Sequence, residues 1–270
     1  MRRPLLNCIV RHAQSAASRA HHKAAEAGGP KSASFNPRWF AELGHRISQC
    51  LARQPKTDDG KLLRERLEYI DKHWLELSAG REGFLTSHRW RGLDKHTVVW
   101  GEMVSGQRHV NNVIYNRYAE SARVNWLLRF AAAADPKHRQ QWSELMTPKS
   151  VGLILRSIKT DYKLPITYPD SVTVLHKLAK KPHYNSDAIF LEAVILSEQH
   201  RRPAARCFED IAVYDYRAAR RAPLQDFMVD RLREIYDLQE KSREEVESEV
   251  VQLTEQILQI EGRATHDSAH

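Results

Sequence analysis

Apolar residues recur along this chain with different periods, and each change of period marks a different element. Trp39, Phe40, Leu43, Ile47 and Leu51 return at three- and four-residue steps after an Asn-Pro start signal. Beyond the turn PKTDDGK, Leu62, Leu63, Leu67, Ile70 and Trp74 form a second such stripe. The two stripes predict a helical hairpin over 35–80, packed on whatever follows. HTVVWGEM is β-branched and predicts a strand. From 113 to 134, Tyr115, Tyr118, Ala119, Ala122, Trp126 and Phe130 recur with helical spacing, and the mostly apolar VNWLLRFAAAA predicts a helix buried on most sides.

Past Pro148 the period shortens. Four strand-like runs, 150–166, 170–180, 187–198 and 204–216, are separated by turns that carry Pro165, Pro169, Pro182 and Asn185. In the last run Cys207, Glu209, Ile211 and Val213 alternate with Phe208, Asp210, Ala212 and Tyr214. Short connections between consecutive strands predict an antiparallel meander. From Leu224 the helical period returns, through Phe227, Met228, Leu232, Ile235 and Tyr236 to Val246, Val250, Leu253, Ile257 and Ile260. This predicts a long helix over 223–262 and a short disordered tail over 263–270. The charged LQEKSREEVESEVV leaves the second half of that helix solvated. A strand, a long helix and then four antiparallel strands make an α+β domain over 81–222, in which a sheet wraps a central helix.

Composition narrows the setting. The chain has 270 residues, 41% of them hydrophobic and 28% charged, as in a globular protein. No apolar run approaches the ~20 residues that span a bilayer. The cysteines Cys8, Cys50 and Cys207 are far apart, which argues against a disulfide framework or a zinc site. The net charge is +8, but residues 1–34 hold six Arg and Lys against one Glu, a sum of +5 that leaves +3 for the rest. That N-terminus has no acid before Glu26, is rich in Arg, Ser and Ala, and clusters Leu5, Leu6, Ile9 and Val10 against Arg2, Arg3 and Arg11. It reads as a mitochondrial transit peptide, with the matrix as destination.

The segment VVWGEMVSGQRHVNNVIYNRYAESAR, residues 98–123, carries more than a period. It resembles the strand, loop and central helix of the hotdog-fold thioesterases of the 4-hydroxybenzoyl-CoA thioesterase-like superfamily. Its HVNN is similar to that of the plant acyl-carrier-protein thioesterases. GLILRSIKTDYKLPITYPDSVTV is similar to the family's second strand and RPAARCFEDIAVYDY to its closing strands, so the resemblance covers 97–216. It implies a hotdog fold, an antiparallel sheet wrapped around a long central helix, with the hairpin and the C-terminal helix as additions. It further implies hydrolysis of an acyl-CoA or acyl-carrier-protein thioester by a homodimer or larger assembly, without metal or cofactor.

On this resemblance His109 is base or orienter, Gln107 its polar partner and Glu102 a possible acid/base. Asn111 and Asn112 stand at the helix start, whose free N–H groups and positive dipole end would stabilise the oxyanion. Tyr115 and Glu120 line the substrate pocket, and Arg201, Arg202 and Arg206 are candidates for CoA phosphates. The sequence departs from the family at two points. Ser105 stands four residues before His109, where the family has an aspartate, and Gln107 stands two before, where the plant enzymes have asparagine. A serine hydroxyl does not ionise near neutral pH without an adjacent base. The departure keeps a second reading open, a non-catalytic hotdog domain in a mitochondrial assembly such as the ribosome, where nucleic-acid contact would follow.

Overall fold

Asn111 starts the helix on which the rest of the domain is assembled. Its side-chain oxygen accepts the Val113 N–H at 3.1 Å, supplying one of the acceptors that a helix start lacks. The computed structural model describes residues 38–104, 106 and 108–267, and the unit described below begins at Phe40. The elements are α1 (Trp39–Arg53), α2 (Asp58–Lys72), β1 (Arg91–Thr97), the central α3 (Asn112–Ala134) and α4 (Arg139–Glu144). There follow β2 (Val151–Tyr162), β3 (Ser171–Leu178), β4 (Ala188–Ser197), β5 (Arg202–Asp215), β6 (Arg220–Arg221) and α5 (Asp226–Asp267).

The sheet runs in the order β1-β3-β4-β5-β2, with every pairing antiparallel and β6 attached to the end of β5. Its inner face presents Val172, Val174, Ala193, Ile195, Ala205 and Cys207 to Tyr115, Tyr118, Ala119 and Ala122 of α3. Small residues bring helix and sheet close together. A Cβ on Gly92 of β1 would lie 2.3 Å from the Ala122 carbonyl oxygen, so only glycine fits there. The outer face is covered too, as Leu175, Val194 and Leu196 pack against Trp74, Leu75, Ala79 and Phe84. Strands buried on both faces read as continuous apolar runs, which is why VTVL and AVIL lack a clean alternation.

Several elements depart from the sequence expectations. The strand predicted at HTVVWGEM lies earlier, at Arg91–Thr97, and Trp100–Glu102 is a 3₁₀ turn. The Glu102 carboxylate accepts the Val99 N–H at 3.0 Å and closes that turn, so a local side-chain bond overrides β-propensity. The meander holds for β3, β4 and β5 only. β2 sits on the far edge against β5, because α3 carries the chain across the sheet before β2 begins. The central helix is not buried on most sides, since Val113, Arg117, Glu120, Ser121 and Leu128 form an open outer face.

The second half of α5 is not solvated along its length, and the helix runs to Asp267, past the expected end at 262. Val250, Leu253, Ile257 and Ile260 are all buried, at 1–7% exposure. The N-terminal hairpin meets this half of the helix. Arg46 of α1 pairs with Glu261, Tyr69 of α2 bonds Glu249, and Arg263 reaches Asp59 at 2.8 Å. The first half of α5 completes the sheet. The buried Gln239 amide accepts the Leu178 N–H at 3.0 Å and donates to the Leu178 carbonyl at 3.1 Å, standing in for a neighbouring strand. Among the described residues no helix is long and apolar enough to cross a membrane. The expected transit peptide, over 1–34, lies outside the described residues.

Candidate active site

The polar cluster of the motif is built on a small hairpin between the 3₁₀ turn and α3. Val98 extends β1 by donating its N–H to Asp170 at 3.0 Å. Met103 then bridges Val110, Val104 N–H donates to His109 O at 2.9 Å, and Asn111 N–H donates to Glu102 O at 2.8 Å. Val110 N–H donates to Ile166 O at 2.8 Å, which ties the returning limb to the connection between β2 and β3. The tip turns through positive φ at Gly106 (83°) and Arg108 (56°). Glu102, His109 and Asn111 therefore stand on two paired limbs that feed the helix start. Ser105 and Gln107 lie outside the described residues.

The His109 Nδ1 lies 3.0 Å from the Val110 carbonyl oxygen. A carbonyl only accepts, so in the neutral ring Nδ1 carries the hydrogen and Nε2 bears the lone pair, the tautomer of a general base. At the helix start the Val113 N–H is taken by the Asn111 cap, whereas the Asn112 N–H has no acceptor among the described residues. The Asn112 carbonyl accepts the Tyr162 hydroxyl at 3.1 Å, so the end of β2 closes over the first turn of α3.

Glu102 does not touch His109. Its Oε2 accepts both the Val99 N–H and the Tyr118 hydroxyl, the latter at 2.5 Å, and Oε1 has no partner among the described residues. Burial pushes the Tyr118 phenol far above the ordinary tyrosine range, and its bond to Glu102 adds to this. Tyr115 is spent on structure. Its hydroxyl accepts the Ile166 N–H at 2.9 Å and donates to Leu164 O at 3.3 Å. Glu120 stands apart on the outer face of α3, in an open groove of about 480 Å³ lined by Arg117, Glu120, Ser121, Val124 and Asn125. Thus Glu102, His109, Asn111 and Asn112 come together, and Glu120 does not.

Of the arginines considered for phosphate binding, two are occupied. Arg206 is an ion-pair partner of Glu82 and of Glu192, the latter at 2.7 Å, and Arg201 pairs with Asp71. These pairs tie Arg201, just before β5, to α2, and Arg206 of β5 to the segment that follows α2. Cys207 is no nucleophile, since burial pushes its thiol up to about 11 despite the Thr160 hydroxyl beside it.

Sequence reading missed two pairings. One is Tyr118 with Glu102. The other lies deeper, where Arg123 Nη1 on α3 meets Glu209 Oε1 on β5 at 2.6 Å, and His176 Nε2 lies 3.5 Å from Glu209 Oε2. Its signal was present, because the alternation along β5 set Glu209 among inward-facing Cys207, Ile211 and Val213, and a carboxylate on an apolar face needs a buried partner. No group of His, Cys, Asp and Glu suited to a metal ion occurs among the described residues.

A long helix wrapped by a sheet of order β1-β3-β4-β5-β2, with a polar hairpin at the helix start, is a hotdog fold. Residues 98–232, half of the chain, match the thioesterase-like superfamily, and the chain belongs to it. No curated protein matches the chain. Among solved structures, it is similar to a thioesterase from Thermus thermophilus complexed with coenzyme A and Zn, at 20% identity and TM-score 0.42, over 58% of this chain and 98% of that one. It is also similar to a probable thioesterase from Escherichia coli, at 20% identity and TM-score 0.41, over 52% of this chain and 95% of that one. The DHNA-CoA thioesterase of Staphylococcus aureus is similar at 14% identity and TM-score 0.39, over 59% and 89%.

Proposed function

We propose that the protein hydrolyses an acyl thioester whose thiol is CoA or an acyl-carrier protein. The observation that carries this reading is the His109 tautomer on the limb that leads into a helix start whose Asn112 N–H has no acceptor among the described residues. His109 Nε2 takes a proton from water, and the hydroxide adds to the thioester carbonyl. The oxyanion is met by the Asn112 N–H and the positive end of α3, donors already fixed before charge develops. Collapse of the tetrahedral intermediate breaks the C–S bond, and the imidazolium returns the proton to the departing thiolate. Glu102, whose Oε1 has no partner among the described residues, is the acid/base that assists, and Gln107, outside the described residues, is assigned as the polar partner of His109 on the family resemblance alone. Asn111 caps the helix, Tyr115 holds the chain after β2 in place beside it, and Glu120, on the outer face of α3, lies outside this substrate site.

A homodimer accompanies this reading, because β2 is a 12-residue edge strand with Ile154 and Tyr162 exposed, and an open edge of that length invites pairing. Sedimentation at micromolar concentration reads the mass, and a monomer there rules the dimer out. The composition of residues 1–34 supports the mitochondrial matrix, and import of a fusion carrying those residues tests it.

The deciding experiment incubates the protein with acyl-CoAs of varied chain length and an acyl-carrier-protein thioester while free thiol is followed. Turnover that His109→Ala abolishes is expected. Release no faster than the blank across the panel rejects the enzyme. One observation favours the second reading, a non-catalytic hotdog component of a mitochondrial assembly such as the ribosome. Among the described residues no carboxylate contacts His109. Salt-resistant co-sedimentation with mitochondrial ribosomes, in the absence of turnover, is its expected result, and free protein in the supernatant rejects it.

A further inference from the structure

We infer that Tyr118 is a positioning residue for Glu102, fixing its carboxylate so that Oε1 is the oxygen left to react. The inference rests on the reading of Glu102 as an acid/base and adds a group that the motif alone does not assign. Two donors converge on one oxygen, the Tyr118 hydroxyl at 2.5 Å and the Val99 N–H at 3.0 Å, and neither engages the other. A carboxylate held in this way leaves Oε1 as the oxygen without a partner among the described residues.

The donor is itself held rigidly. Tyr118 is 3% exposed, in the core shared by α3 and β3, with the His96 ring of β1 edge-on at 5.6 Å. Glu102 is fixed from the backbone side as well, because its carbonyl accepts the Asn111 N–H at the helix cap. Position therefore passes from the helix body to the carboxylate and from the helix cap to the same residue.

The donor also keeps its proton. Burial first, then the Glu102 carboxylate, then Tyr115 and Asp170 all act to hold the phenol neutral. The ionisable groups facing the pair are His96 on β1, Tyr115 on α3 and Asp170 before β3. Asp170 is tied by the Ser197 hydroxyl at 2.6 Å and the Ser171 and Gln199 N–H groups at 2.7 and 3.1 Å. A neutral donor on a carboxylate favours its charged form. Tyr118 thus remains a donor to the Glu102 carboxylate.

The test measures kcat and KM for acyl-CoA hydrolysis by the full chain, its Tyr118→Phe variant and its Glu102→Gln variant. Phe keeps the ring and removes only the donor. At the pH plateau kcat is expected to fall about tenfold, the order expected for one hydrogen bond to a charged group, while KM changes less than twofold. An unchanged kcat when Glu102→Gln abolishes activity, or a loss carried by KM alone, overturns the inference. Full activity in Glu102→Gln removes Glu102 from catalysis, and the reading beneath the inference falls with it. If the Phe variant does not fold, 4-aminophenylalanine at position 118 keeps a weaker donor in the same place and should lower kcat severalfold, and an unchanged kcat again overturns the inference. If the unmodified chain hydrolyses nothing, the enzyme reading fails separately. The carboxyl carbon-13 shift of Glu102 with and without Tyr118→Phe then decides the positioning role, which an unchanged shift rejects.

Discussion

Replacing Arg123 by Met should cost stability at neutral pH and much less at mildly acidic pH. The Glu209 side chain is 0% exposed and its charge is answered by Arg123, 14% exposed, at 2.6 Å. Met keeps most of the aliphatic stem, so the packing loss is small and the change isolates the charge. The variant has two ways to keep its fold. Leaving the carboxylate charged and unpartnered costs about 3–5 kcal/mol. Taking up a proton costs about 3.7 kcal/mol at pH 7, from an ordinary glutamate value of ~4.3 at ~1.36 kcal/mol per unit.

At pH 5 the same proton costs about 1 kcal/mol. His176, 3.5 Å from Glu209, offers another place for the proton. That choice keeps two ions in a core with no exposure, and desolvating each costs several kcal/mol. Glu209 is therefore the acceptor. The sign follows from linkage. The folded variant binds one proton more than the unfolded chain, so its stability falls as pH rises. Urea unfolding of the unmodified chain and the variant at pH 7 and pH 5 should give losses of about 3–4 and about 1 kcal/mol. Arg123→Met/Glu209→Gln should recover most of the loss at pH 7. Equal losses at the two pH values, or a double variant no more stable than the single one, would refute the reasoning.

Other parts of the fold carry equally direct predictions. Gly92→Ala places a methyl 2.3 Å from the Ala122 carbonyl oxygen, so α3 must shift; the loss should be at or above about 3 kcal/mol, read as a lowered melting temperature, and an unchanged melting point refutes the close approach. Gln239→Leu leaves the Leu178 N–H and carbonyl without their partners, and at about 1–3 kcal/mol for each buried group it should lower the urea midpoint and speed amide exchange at Leu178; unaltered exchange there refutes the pairing.

Some features of the candidate site were legible in the chain itself. Asn111 before an apolar helical run marks a cap whatever surrounds it, because the bond it makes closes within two residues. The order strand, helix, strands, together with HVNN, pointed to the hotdog family. The polar hairpin was harder to read. Glu102 and His109 are seven positions apart, and both were read as chemistry. Which group faces each of them depends on Tyr118, further along on the central helix, and on the carbonyl of Val110.

By itself, then, the sequence determined the central helix with its Asn111 cap, the four strands that follow it and the alternation that groups Glu209 with Cys207, Ile211 and Val213, because period and capping are settled among residues a few positions apart. Only the tertiary structure decided that β2 lies on the far edge and that Arg206 serves ion pairs rather than a ligand. It alone decided that the second half of α5 is covered by the N-terminal hairpin. Those outcomes rest on pairs such as Arg123 with Glu209 and Arg46 with Glu261, 86 and 215 positions apart. No local pattern specifies which distant side chain will answer a buried charge. That choice is made by the geometry of packing, where an unpaired charge costs more than almost any other local preference.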